Sequence, residues 1–369
     1  MRLTQAIINK QKLLQNLISI RKNIFNAGIM AIVKANAYGH GIVETTKILD
    51  EAGVEFFGVA FPEEGAELRR NGITKPILAL VPSLGADADL FVENDIHVVL
   101  SSFESAKTFS DYAESRNAKI KSHIFIGTGM NRDGIPPEHA LPFAKYCSEL
   151  KGLELVGLCT HFAASENEDR SFTYKQLAIF NQNLEILKNN GFDFEYIHAS
   201  NSAAIINIPE ARFNLVRPGI FLYGYANEEN LWKKIELQPA LTIKTNIVLT
   251  KRVEKGDTVG YSFKFIADKP THIGVLPIGY ADGYFWSFTN KAECLIRGKR
   301  YKLVGSVCMD QCMVDIGSDD IKAGEEVVLL GSQGNETITA HELAARGNSL
   351  VYEVLTSISP RIPRVIIDR

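Results

Sequence analysis

From residue 27 to about residue 224 the chain alternates short apolar runs with helical stretches, and this alternation constrains its fold more than any other feature. Strands are predicted near 29–33, 56–60, 77–81, 96–100, 121–126, 155–160, 196–198 and 213–216. A run such as Ile29-Met30-Ala31-Ile32-Val33 is apolar throughout, which suits a strand covered on both faces, as in a parallel sheet. Parallel neighbours need a crossover, and the helical stretches supply it. Pro62-Glu63-Glu64 places a proline and two acids in a first turn, where the missing N–H costs little and the helix dipole favours negative charge. Leu177, Phe180, Leu184 and Leu187 recur at helical spacing and stop at Asn189-Asn190-Gly191, a C-cap signal. Eight strand–helix units in about 200 residues describe a (β/α)8 barrel.

After Glu236 the texture changes. Alternating segments at 241–249, 273–278, 295–304 and 327–330 are separated by Lys255-Gly256-Asp257, Arg297-Gly298-Lys299 and Gln333-Gly334-Asn335. These are hairpin signals at short spacing, so the last third is expected to be a mostly antiparallel β domain, with one short helix near 341–346. The expected division is therefore a barrel over 1–235 and a β domain over 236–369.

Composition narrows the function classes. A net charge of -3 gives no attraction to nucleic acid or to an anionic membrane. The five cysteines lack paired metal-ligand spacing, so no metal site is expected. The N-terminal segment has no apolar signal core and no later run is long enough to span a bilayer, which gives the expectation of a reduced, cytoplasmic protein.

Barrels carry their chemistry where strands end. The first strand ends on Lys34, with Tyr38 four residues on; the fifth leads to Thr128-Gly129-Met130-Asn131-Arg132; the sixth ends at His161. The seventh leads to Ser202-Ala203-Ala204 and the eighth to Arg217-Pro218-Gly219-Ile220. Taken singly, each has an ordinary explanation: Lys34 as a solvated strand end, Ser202 as a helix N-cap, His161 as a satisfied structural histidine. Taken together they change meaning. A lysine leaving an apolar wall can have a lowered pKa and form a Schiff base, and strands seven and eight are where barrels hold phosphate. Lysine, phosphate cradle and two arginines point to a phosphorylated aldehyde, with pyridoxal 5'-phosphate the natural candidate.

At this point the sequence resembles the alanine racemases, a family of fold-type III pyridoxal-phosphate amino-acid racemases. The resemblance runs nearly end to end through Ala31-Ile32-Val33-Lys34-Ala35-Asn36-Ala37-Tyr38-Gly39-His40-Gly41, Asn201-Ser202-Ala203-Ala204, Val216-Arg217-Pro218-Gly219-Ile220, Ile278-Gly279-Tyr280-Ala281-Asp282-Gly283 and Cys308-Met309-Asp310-Gln311-Cys312. It implies that Lys34 carries the cofactor and acts as one of two bases. Tyr261 would be the opposing base, contributed by the β domain of the partner subunit in a homodimer whose active sites are shared across the interface. Arg217 would face the pyridine nitrogen with His161 behind it. Tyr38, Ser202, Gly219, Ile220 and Tyr352 would hold the phosphate. Arg132 would meet the cofactor phenolate and the substrate carboxylate, and Met309 the substrate. Tyr280 and Glu166 would line the entryway.

The implied chemistry is coherent. Racemisation removes a proton from one face of Cα and returns one to the other, so two bases must flank it. A tyrosine pKa of about 10 must be brought down for work near neutrality. An arginine that keeps its proton leaves the ring nitrogen unprotonated, weakening the electron sink and disfavouring transamination and decarboxylation. D-Alanine for peptidoglycan is the implied product, and a racemase of serine or of a broader set of amino acids is the alternative. A decarboxylase on the same scaffold, or a cofactor carrier, accounts less well for Tyr261, Arg217 and the second domain.

Three departures from the family pattern stand out. Phe125 occupies the place where many relatives carry a lysine that becomes carbamylated and orients the following arginine, and Gly127 replaces an aspartate. Arg132 must then be held by an anion, by packing alone or by another side chain, for which the flanking Asn131 and Asp133 are candidates. Trp286 and Ser306 stand where relatives have entryway arginines, and Pro360 where a tyrosine is common. These departures bear on specificity and rate and leave both bases in place.

Overall fold

The computed structural model describes residues 2–227 and 229–368, with side chains at 229 and 230 left aside. The chain forms two compact units. One comprises Leu13–Ala37 and Ile42–Gln238; the other comprises the segment up to Lys12, Tyr38–Gly41 and everything from Pro239 onward.

Strand β1 is Gln5–Asn9. It is followed by β2 (Gly28–Ile32), β3 (Phe56–Val59), β4 (Ile77–Ala79), β5 (Ile96–Leu100), β6 (Ile120–Phe125), β7 (Leu153–Cys159), β8 (Tyr196–His198) and β9 (Leu215–Val216). Strands β2 to β9 are the eight expected from the apolar runs. They pair in parallel in the order β8-β7-β6-β5-β4-β3-β2-β9. Just beyond β8 and β9, Asn201 bridges Arg217 in parallel, and the Arg217 N–H donates to Ser200 O at 2.8 Å, which closes the ring. The two ends of the sheet therefore meet at Arg217, the residue expected to face the ring nitrogen, and on the other side at Asn201, one position before Ser202.

The apolar runs are buried because both faces are covered. Ile29, Met30, Ala31 and Val33 are wholly inaccessible, and each large apolar side chain buried this way contributes roughly 1.5–3 kcal/mol. Helices cross between successive strands, among them Ile42–Glu51, Pro62–Arg70, Phe103–Ser115 and Ser171–Asn189. The last ends where the sequence indicated, with Gly191 in the left-handed region at φ +84°. Gly157 in β7 has a different role. A Cβ there would lie 2.0 Å from His123 Nδ1, so the glycine makes room for a buried imidazole.

The second unit is built on mixed and antiparallel sheets. Its main sheet runs Lys299–Lys302, Glu293–Ile296, Glu326–Gln333, Leu241–Asn246, β1, Arg364–Ile367, with Glu336–Ile338 beside Glu326–Gln333. Only the pairing of β1 with Arg364–Ile367 is parallel. A second sheet joins Leu249–Val253, Thr271–Leu276 and Cys312–Gly317, over a core that includes Val253, Val259, Ile273, Val304 and Met313.

Four details differ from the sequence expectation. β1 pairs with Leu241–Asn246, so the segment up to Lys12 lies with the β unit rather than with the barrel expected over 1–235. The segment 295–304 is two strands, divided at the expected hairpin signal, where Arg297 (φ +51°) and Gly298 (φ +71°) turn the chain. The segment 241–249 breaks after Asn246, and Leu249 opens another sheet. There are two helices near the end, Ala340–Gly347 and Val351–Thr356, where one was expected, and the second carries Tyr352.

Candidate active site

Lys34 leaves the end of β2 into a turn of unusual hand. Ala35, Asn36, Ala37 and Tyr38 all have φ between +51° and +55°, one full turn of left-handed helix without a glycine. For an L-residue this conformation costs roughly 1–2 kcal/mol each, so the surroundings must impose it. They do so by hydrogen bonds. The Ala35 N–H donates to Glu64 Oε1 at 2.7 Å, the Ile42 N–H donates to Asn36 Oδ1 at 2.8 Å, and the Ala37 N–H donates to Val33 O at 2.8 Å. The other Glu64 oxygen accepts the Ala60 N–H at 2.7 Å and the Phe61 N–H at 3.4 Å, capping the helix Pro62–Arg70.

The Lys34 amine is held below its usual lysine pKa, chiefly because burial disfavours the charged form, and then because Arg132 and Arg217 add positive charge; Glu64 and Asp133 oppose this. A neutral amine is the form that attacks a carbonyl or accepts a proton.

Arg217, at the seam of the barrel, is buried and densely held. One terminal nitrogen donates to His198 Nδ1 (2.7 Å) and His198 O (2.8 Å). The other donates to Thr160 O (2.7 Å) and Ala199 O (3.0 Å) and lies 3.0 Å from His161 Nδ1. Burial brings its pKa down to about 10, with Arg132 a lesser contributor. Behind it runs a row of imidazoles: His198 Nε2 is 2.9 Å from His123 Nδ1, and His123 Nε2 is 3.1 Å from His97 Nδ1. A guanidinium donates only, so His198 Nδ1 accepts, its Nε2 carries the proton, and the same assignment passes along the row. Burial holds all three well on the neutral side, His97 down to about 3. His161 is likewise lowered, first by burial and then by Arg217.

Ser202 opens the short helix Ser202–Asn207, but it is not the cap. Asn201 caps the helix, accepting the Ala204 N–H at 3.0 Å. The Ser202 hydroxyl instead accepts the Gly219 N–H at 2.9 Å, beside the turn that begins at Ile220. Arg132 pairs with its neighbour: Nε lies 2.8 Å from Asp133 Oδ2. Of the two flanking candidates, Asp133 is the one seen paired with Arg132. Phe125 is buried beneath this loop, where a Cβ on Gly134 would lie 2.4 Å from its ring. Glu166 is half-buried in the loop after β7.

The remaining expected residues belong to the β unit. The Tyr38 and Tyr352 rings lie 6.1 Å apart, tilted by 48°, and burial raises the Tyr38 pKa, with Tyr352 a lesser cause. Tyr280 and Met309 stand on one crossing of the chain. The Tyr280 N–H donates to Cys308 O and the Ala281 N–H to Met309 O, both at 3.0 Å. A Cβ on Gly279 would lie 2.4 Å from Met309 O. Buried Asp282 accepts the Gly279 N–H and pairs with Arg2, and Arg361 holds Asp310 at 2.7 Å. Ser306 is buried and Trp286 exposed. Tyr261 is 72% exposed, in a short turn between Thr258–Val259 and Phe265–Ile266. Its carbonyl accepts the Ser306 hydroxyl at 3.0 Å.

The barrel residues fit the phosphorylated aldehyde expected from the sequence: a desolvated amine for the carbonyl, a fixed cation, and a hydroxyl with backbone N–H groups for phosphate. Glu64 and the histidine row are the residues that sequence reasoning missed. Polar residues interrupting otherwise apolar strands, His97, His123 and His198, were their only signal.

The chain matches the family models for the alanine racemase N-terminal domain over residues 8–227 and C-terminal domain over residues 240–366. It is 40% identical over 369 residues to the alanine racemase of Carboxydothermus hydrogenoformans, covering the whole of both chains. Among solved structures it is similar to the alanine racemase of Bacillus anthracis with bound L-Ala-P, at 35% identity and a TM-score of 0.95, covering 100% of this chain and 96% of that one. It is also similar to the histidine racemase of Leuconostoc mesenteroides subsp. sake, at 28% identity and a TM-score of 0.92, covering 100% of this chain and 98% of that one.

Proposed function

Because the chain belongs to the alanine racemase family, we propose that it interconverts L- and D-alanine in the cytoplasm, with D-alanine going to peptidoglycan, and that pyridoxal 5'-phosphate is its cofactor. When bound, that group supplies a carbonyl for the substrate amine and a conjugated ring that acidifies the Cα proton. Lys34 would hold it; Ser202, Gly219, Ile220, Tyr38 and Tyr352 would take its phosphate, and Arg217, backed by His161, its ring nitrogen.

The chain's own residues then divide the work. In one direction Lys34 Nζ takes the α-proton from one face, helped by the burial that favours its neutral form, while the Tyr261 hydroxyl gives a proton to the other face. In the reverse direction the Tyr261 phenolate takes the proton and the protonated Lys34 amine gives one. Since Tyr261 is 72% exposed in its own chain, we assign its hydroxyl to the site of a partner subunit in a homodimer. Arg217, even with its pKa brought down to about 10, is protonated by a ratio of roughly a thousand at pH 7. It thus donates hydrogen bonds without giving up a proton. Arg132, held by Asp133, would receive the substrate carboxylate. Met309, Tyr280 and Glu166 would bound the substrate and its entry.

The seating of Lys34 among Arg132, Arg217, Glu64 and Asp133 carries this reading. Single-enantiomer amino acids offered to the cofactor-loaded protein, with products resolved by chiral chromatography, test it. Selective conversion of alanine is expected; preferential conversion of serine or a larger amino acid would move the substrate while keeping the two bases.

A further inference from the structure

We propose that Glu64 is the positioning residue of the lysine turn: its carboxylate holds the residues after Lys34 in their left-handed conformation and so fixes where the amine stands. The inference rests on the role given to Lys34 above, and Glu64 touches no reacting atom.

The geometry singles it out. Four consecutive non-glycine residues, Ala35 to Tyr38, occupy the left-handed region immediately after Lys34, and a left-handed turn does not persist without contacts that impose it. Glu64 reaches the first of them directly, accepting the Ala35 N–H at 2.7 Å. Its second oxygen is anchored by Ala60 N–H at 2.7 Å and Phe61 N–H at 3.4 Å, at the start of the helix Pro62–Arg70. One carboxylate thus ties the end of β3 to the turn that follows β2. A glutamine of the same length has a single acceptor oxygen and can serve only one side. An alanine serves neither.

Glu64 also brings a charge. The groups acting on the Lys34 amine are the cations of Arg132 and Arg217 and the carboxylates of Glu64 and Asp133. His161, which Lys34 itself influences, is held neutral. Of the two carboxylates, Asp133 is engaged with Arg132, and Glu64 is bonded to the lysine turn itself. Removing the Glu64 charge leaves two cations facing the amine with one carboxylate, which lowers the amine pKa.

The test uses the cofactor-loaded, full-length protein and two variants, Glu64→Gln and Glu64→Ala. Hydrogen exchange at the amides of Ala35, Asn36 and Ala37 should accelerate in the order wild type, Gln, Ala, by at least ~10-fold for Ala, while the helix Ser171–Asn189 keeps its protection. The acid limb of kcat/KM should move to lower pH in both variants, with kcat falling more than KM changes. A general loss of stability would lower activity at every pH without moving that limb. Should Glu64→Ala fail to fold, the intermediate exchange rate of Glu64→Gln decides. Amides 35–37 exchanging in the variants as slowly as in wild type would overturn the proposal. Exchange is read independently of racemisation, so a failure of the functional reading would leave this result intact.

Discussion

The two turns that carry the proposed bases are built in opposite ways. The turn after Lys34 is strained in hand, lies at the end of a strand whose side chains are inaccessible, and is tied by Glu64, Asn36 and Val33. The turn carrying Tyr261 also uses left-handed backbone, at Gly260 (φ +75°), Ser262 (φ +58°) and Phe263 (φ +52°), but Tyr261 and Phe263 are 72% and 71% exposed. A base that must be a neutral amine can be tuned by its own barrel, through burial and two arginines. Tyr261 instead stands on an exposed turn of the β unit. On the proposed reading, one half of the chemistry lies within a single barrel and the other half is assigned to a second subunit.

The largest expected effect separates the halves. Lys34→Ala should abolish racemisation and remove the borohydride-reducible cofactor adduct, since no other group replaces the amine. Tyr261→Phe should lower kcat by ~10²–10⁴, the range for a lost general acid–base group, while keeping that adduct and the protein's visible spectrum. Loss of the adduct in Tyr261→Phe as well would break the contrast.

A moderate effect follows from the buried histidines of the barrel. His97, His123 and His198 have folded-state pKa values below their usual values, His97 down to about 3. The unfolded chain therefore binds more protons, so their contribution is fully present above about pH 6.5 and is lost as pH falls below it. Each adds a slope of up to ~1.4 kcal/mol per pH unit in that range. Urea midpoints between pH 6.5 and 4 should show a shallower slope for His97→Gln than for wild type, and an unchanged slope for Tyr261→Phe. Equal slopes in all three would remove the histidine row from the account.

The smallest effect concerns the Tyr261 turn. Ser306→Ala deletes the hydroxyl that donates to Tyr261 O, worth about 0.5–1.5 kcal/mol. A fall in kcat of less than ~10-fold is expected, with cofactor affinity unchanged. A loss equal to that of Tyr261→Phe would mean the turn is held by this one bond.

What the sequence disclosed depended on how local the cause was. The eight barrel strands were legible because each is an apolar run of its own, and Lys34 and Arg217 stood out by ending two of them. β1 was not: its partners are Leu241–Asn246 and Arg364–Ile367, more than two hundred residues away, and nothing in Gln5–Asn9 names them. The left-handed turn was also hidden, since Ala35 and Ala37 favour the opposite hand by composition. Its cause, the Glu64 carboxylate, lies 29 residues along the chain. Arg132 shows the reverse case. Asp133 is its immediate neighbour, so it could be named from the sequence as a candidate partner, and the structure pairs the two at 2.8 Å. Tyr261 was legible only through the family's pattern, because an exposed tyrosine in a short turn has no signal of its own.

In the proposed homodimer each site draws Lys34 from one subunit and Tyr261 from the other. Subunits bearing Lys34→Ala and subunits bearing Tyr261→Phe, each of low activity alone, should be mixed under conditions of verified exchange. Each mixed dimer then holds one site with both bases intact, and activity should return to about half of wild type per heterodimer, as one of two sites requires. No recovery above the separate variants, with exchange confirmed, would contradict the sharing of sites between subunits.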